Sequence, residues 1–100
     1  MDLGDKETER ELAWIGDAVL ALYAREWAAA RVSGPTRIEC FTLMTSNRFL
    51  AGNGPPTRVE AGIGLVYREK GLAAAFAHIE ETLVPRFRKH WERQRARGTA

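Results

Sequence analysis

Leu12-Ala-Trp-Ile-Gly-Asp-Ala-Val-Leu-Ala-Leu-Tyr-Ala24 runs for thirteen residues with a single charge, Asp17. A helix that is apolar on nearly every side must be covered on nearly every side. The stretch therefore reads as the central helix of a small domain, and it predicts that Asp17 lies in or beside a core. A lone buried carboxylate costs several kcal/mol, in a domain whose whole stability is about 5–15 kcal/mol. Asp17 thus needs a partner: a hydrogen bond, a cation, or an arginine of another helix in a structural ion pair.

Working outward, proline and glycine divide the chain into four apolar-rich segments, none with the alternation or β-branched richness of a strand. The expected fold is all-α, with about four helices. The first covers about residues 8–30. The second opens on Thr36-Arg-Ile-Glu39, a capping-box pattern, and runs to about residue 51. Thr57-Arg-Val-Glu60 is a second such pattern and opens a helix to about residue 70. After Gly71 comes a long C-terminal helix with Pro85 as a kink or break. Ile38, Phe41, Phe49, Phe76, Ile79 and Leu83 are expected core residues, because aromatic and aliphatic stripes at helical spacing are what small helical domains are packed from.

One hundred residues with 45% hydrophobic and 28% charged composition describe one small domain and exclude a two-domain enzyme. No apolar run approaches the roughly 18 residues of a membrane span, and the start, with Asp2, Asp5, Glu7, Glu9 and Glu11, is the opposite of a basic signal peptide. The single cysteine, Cys40, rules out an internal disulfide framework and reads as a small core hydrophobe. A reducing, cytoplasmic setting is expected. His78 and His90 are isolated, His78 among alanines and His90 in a basic run, so neither suggests a transition-metal site.

The net charge of +2 conceals an asymmetry. Residues 86–100 carry six basic side chains and one acid, which leaves residues 1–85 at nine minus twelve, or −3. Residues 1–85 therefore read as the helical domain and residues 86–100 as a basic helix end. Arg86, Arg88, Lys89, Arg93, Arg95 and Arg97 are the expected phosphate contacts to a nucleic acid, the alternative being a solvated helix end.

Glu60 repeats the situation of Asp17: the run Ala61-Gly-Ile-Gly-Leu-Val-Tyr67 after it is uncharged. Gly62 and Gly64 each cost about 1 kcal/mol relative to alanine inside a helix, which suggests close contact with Ala13 and Gly16 of the first helix. Such an approach sets Asp17 and Glu60 around one hard cation. Oxygen ligands without histidine or cysteine favour magnesium or manganese. As the fourth residue of Thr57-Arg-Val-Glu60, Glu60 equally fits a capping box.

Residues 12–20 resemble the signature helix of the ribonuclease III family, in which an aromatic, an aliphatic, Gly-Asp and Ala precede a hydrophobic continuation. Residues 57–67 are similar to the family's second acidic helix, and Thr45-Ser-Asn-Arg-Phe-Leu-Ala51 is similar to the helix between them. The resemblance covers about a third of the chain, in the right order. It implies a helical, homodimeric endoribonuclease that cuts double-stranded RNA, with Asp17 and Glu60 holding a magnesium or manganese ion that activates water. Arg10 and Ala13 stand where full-length bacterial members carry two further glutamates, and Thr57 stands for another acid. Glu9 and Glu11 lie about 100° off the relevant face. The reduced set resembles the compact Mini-ribonuclease III type, here shortened between the middle and second acidic helices. The rival expectations are the same fold as a catalytically silent RNA-binding or scaffold module, and a helical protein-interaction module.

Overall fold

The computed structural model describes residues 5–99, with side chains through residue 97. Asp2 and Ala100 lie outside the described residues. Among them there are six α-helices, one 3-10 turn and no strand. The all-α class holds; the count is higher than four because two of the four expected segments break.

The central helix α1 (Lys6–Arg31) begins at Asp5, whose carboxylate accepts the Thr8 amide at 2.8 Å. This cap holds Asp5's carboxyl below its usual range. At about 1.5 Å per residue, its 26 residues account for most of the 47 Å long axis of the molecule. Leu20, Tyr23, Ala24, Trp27 and Ala28 form its buried face.

The second expected segment is split into α2 (Thr36–Thr45) and α3 (Asn47–Leu50), followed by a 3-10 turn (Ala51–Asn53). Ser46 makes the break. Its backbone is extended, its hydroxyl accepts the Phe49 amide at 3.2 Å, and the same oxygen donates to the Leu43 carbonyl at 2.9 Å. Serine competes with the helix for its own backbone in this way. Cys40 and Met44, four residues apart, supply the buried side of α2. Ile38 is about 200° from Cys40 and is 70% exposed rather than in the core. Phe41 and Phe76 pack half-buried at the rim, while Phe49, Ile79 and Leu83 are buried.

Neither expected capping box forms. Helix α4 (Pro56–Lys70) starts one residue before Thr57, and α2 starts at Thr36 itself, each with a proline as the capping residue and no side-chain cap bond. Proline's fixed φ and missing N–H suit the first positions of a helix, so Pro56 moves the start of α4 and Glu60 lies inside the helix. Gly71, at φ 92°, ends α4 as expected of a position where a side chain is disfavoured. The C-terminal region is α5 (Leu72–Thr82) and α6 (Val84–Thr99), broken next to Pro85 as the sequence indicated.

Helix α6 contributes Phe87 and Trp91 to the core. Phe87 sits edge-on to Trp27 and Phe49, with centroids at 5.2 and 5.7 Å, and stacks on Trp91 at 6.1 Å. The basic segment is thus one flank of a packed helix, anchored by its aromatic face.

Candidate functional site

Helices α1 and α4 cross at a seam of small residues. A Cβ on Gly16 would overlap the carbonyl oxygen of Glu60, and a Cβ on Gly64 would overlap that of Leu12. Leu12, Ala13 and Ala61 fill the rest of the seam, with Leu65 at its edge. Gly62 plays no part, since nothing lies within 4 Å of a Cβ built there. The close approach inferred from sequence is made by Gly16 and Gly64.

This crossing brings Asp17 and Glu60 together, their carboxyl groups within hydrogen-bonding reach. Glu60 is half-buried; Asp17 is exposed. Asp17 lies beside the core rather than in it, because Trp14, Asp17 and Ala18 face outward on a side of α1 that no other helix among the described residues buries. The cost of burial falls on Glu60 instead. Burial, then the hydrogen bond to Asp17, then the repulsion of its charge push the Glu60 carboxyl up to about 7 from an ordinary 4.5.

Glu9 and Glu11 are occupied elsewhere, in ion pairs with Arg58 at 3.6 Å and Arg68 at 3.1 Å. Among the described residues no group of three or more His, Cys, Asp or Glu side chains is placed to hold a metal. The donor set is two carboxylates. Magnesium commonly keeps several waters and uses one or two carboxylates, so Asp17 and Glu60 fit such an ion. Cys40 offers no nucleophile, because burial pushes its thiol up to about 11.

The pair has a measurable signature without metal. The folded chain holds the Glu60 proton more tightly than the unfolded chain does, so the stability contributed by Glu60 is fully present below about pH 4.5 and is lost as pH rises through about 7. With allowance for solvent screening, the loss is about 1 kcal/mol, or roughly 4–8 °C in Tm. Thermal melts in chelator across that range should show the decline, and Glu60→Gln should flatten it.

The six basic residues of the C-terminal segment separate by role. Arg86 donates to the Phe49 carbonyl and, at 2.5 and 3.0 Å, to Asn53 Oδ1, with its guanidinium 4.0 Å from the centroid of the Phe49 ring. Asn53 in turn donates to the Thr82 carbonyl at 2.9 Å. Arg86, expected as a phosphate contact, therefore ties α6 to the 3-10 turn. At about 100° per residue, Arg88 and Arg95 fall on one flank of α6, and Lys89, Arg93 and Arg97 fall on the other beside Arg86 and His90. Arg95 lies over Trp91 at 5.6 Å. Sequence reasoning missed Arg48, which α3 places opposite the second flank. The basic run alone carried no signal for it.

No protein-family model, curated protein or solved structure matches this chain. Among the described residues no helix is long and apolar enough to cross a membrane.

Proposed function

We propose that the chain is a ribonuclease III-like endoribonuclease domain that acts on double-stranded or structured RNA in the cytoplasm, using magnesium or manganese held by Asp17 and Glu60. The observation that carries this reading is the convergence of the two carboxyls across a crossing closed by Gly16 and Gly64. A bound divalent ion there supplies Lewis acidity and a water of lowered pKa for phosphodiester hydrolysis. The protein's own contribution is positional. Two backbones in contact fix both carboxylates, and the unbalanced negative charge favours a cation. The basic flanks of α6 suit the phosphates of an A-form duplex, which is read by shape and backbone because its deep major groove is closed to side chains.

The unit is a homodimer in this proposal. Trp14 is 78% exposed, and with Leu22 and Tyr67 it borders a shallow apolar concavity of about 610 Å³ beside Ile15 and Ala18. Exposed apolar surface of this kind marks an interaction site, and it lies on the side of α1 that carries Asp17. Sedimentation at micromolar concentration should give a dimer of the 11.2 kDa chain. A monomer at those concentrations would count against paired cleavage of both strands.

A second reading, a catalytically silent RNA-binding or scaffold module, is favoured by Arg10 and Ala13 in place of acids and by the two-carboxylate donor set. Incubating a labelled RNA duplex with and without magnesium decides between them. Magnesium-dependent cutting supports the first reading, and binding without cutting supports the second.

A further inference from the structure

Between α3 and α6 lies a partly enclosed recess of about 310 Å³, lined by Leu43, Arg48, Phe49, His90, Arg93, Gln94 and Arg97. Three of the seven lining residues are arginines, a fourth is a histidine, and none is acidic. Leu43 and Phe49 supply the apolar wall. The Phe49 ring is held by Arg86 at 4.0 Å and by the edge of His90 at 5.7 Å, so this wall is braced from two directions. No hydrogen bond or ion pair to another described residue occupies Arg48, Arg93 or Arg97. That contrasts with Arg58 and Arg68, which have carboxylate partners on α1.

The positions follow from the chain. His90, Arg93 and Arg97 succeed one another at spacings of three and four on α6, which aligns them on one face. Arg48 enters from the short helix that Ser46 starts. Two separate elements thus present like charges to one small space. Such an arrangement is unfavourable when empty and is relieved by an anion. Guanidinium groups match phosphate oxygens with paired, charge-assisted hydrogen bonds.

We propose that this recess is a binding site for a terminal phosphoryl group, a phosphate monoester dianion. Arg48, Arg93 and Arg97 contact its oxygens, and His90 and Gln94 supply further donors. A partly enclosed recess with converging cations suits a group at the end of a molecule better than a diester that must continue through on both sides. The site uses none of the residues of the α1–α4 crossing and does not rest on their role. Its ligand is either a small free phosphate or the phosphorylated end of an oligonucleotide, and both share this chemistry.

The test is titration of the full chain with inorganic phosphate at constant ionic strength, followed by NMR of the arginine Nε–H groups. Saturable binding with shifts confined to Arg48, Arg93 and Arg97 is expected. Arg48→Gln and Arg93→Gln should each weaken it by about tenfold, the usual worth of one charge-assisted hydrogen bond. Lys70→Gln, on exposed surface at the end of α4, should not change it. Both arginines are exposed, and an unchanged amide spectrum away from the recess verifies that each variant is folded. A pair of RNA oligonucleotides with and without a 5′-phosphate then identifies the source. Tighter binding of the phosphorylated member points to a nucleic-acid end, and equal binding beside saturable inorganic phosphate points to a small ligand. Shifts spread evenly over all arginines, or affinity unaltered by both glutamine variants, would overturn the site.

Discussion

Gly16→Val should lower thermal stability more than any other exchange at a glycine of this chain. Its Cβ would occupy the place of the Glu60 carbonyl oxygen, and Gly64 N lies 2.9 Å from the same point, so the obstacle is backbone and no side chain can rotate away. Overpacking of a close contact costs typically 1–3 kcal/mol. Here the whole α1–α4 crossing must open, which puts the loss at or above about 3 kcal/mol and the fall in Tm beyond roughly 12 °C. Gly16→Ala should follow the same direction, because the gain of up to about 1 kcal/mol in helix propensity is smaller than the clash. Gly62→Ala is the control. On α4, the other helix of the crossing, its Cβ meets nothing within 4 Å, so it should stabilise by about 0.5–1 kcal/mol. Equal effects at Gly16 and Gly62 in thermal melts would show that the two helices do not approach as described.

The second large effect concerns the carboxyl pair. At pH 8 the Glu60 carboxyl, raised to about 7, is mostly ionised and lies against the charge of Asp17, and a divalent ion that binds between them should reverse that repulsion. At a free concentration ten times its Kd, such an ion stabilises by about 1.4 kcal/mol, which corresponds to about 6–11 °C in a domain of this size. Melts at pH 8 should therefore rise with magnesium or manganese and fall back in chelator. Glu60→Gln should raise the metal-free melting point slightly and abolish the response to metal, since glutamine relieves the repulsion but removes the charge that a hard cation requires. Asp17→Asn should behave likewise. A metal response that survives in both variants would place the ion elsewhere.

The sequence carried much of this fold because its strongest signals are local ones. The run of residues 12–24 with its single charge, Gly71 and Pro85 each act through backbone geometry or burial of a face, and α1, the end of α4 and the break before α6 are where those residues predict. The errors lie where a local pattern competes with a neighbour. Thr36 and Thr57 have the spacing of capping boxes, yet Pro35 and Pro56 set the helix starts before either threonine can cap. Ser46 was invisible as a break because serine is tolerated in helices until its hydroxyl takes up the backbone.

The candidate site shows the same division. That Asp17 and Glu60 converge was legible from their apolar surroundings and the nearby glycines. Which glycines make the crossing depends on the rotation of α4, and this favours Gly64 over Gly62. The exposure of Asp17 depends on which side of α1 the other helices leave open. Arg86 was misjudged and Arg48 missed for a shared reason. The charge of an arginine is visible in a sequence, whereas its hydrogen-bond partners at Phe49 and Asn53, or its position across a recess, arise only when α3 and α6 pack.

In the proposed function Asp17 and Glu60 act as one metal-dependent centre on duplex RNA. This is tested most directly by comparing Glu60→Gln with the parent chain in cleavage of a labelled RNA duplex at pH 8 in magnesium, after confirming that the melting points agree within a few degrees. Magnesium-dependent cutting by the parent and only background cutting by the folded variant are expected. A folded Glu60→Gln protein that cuts the duplex at the parental rate would contradict it.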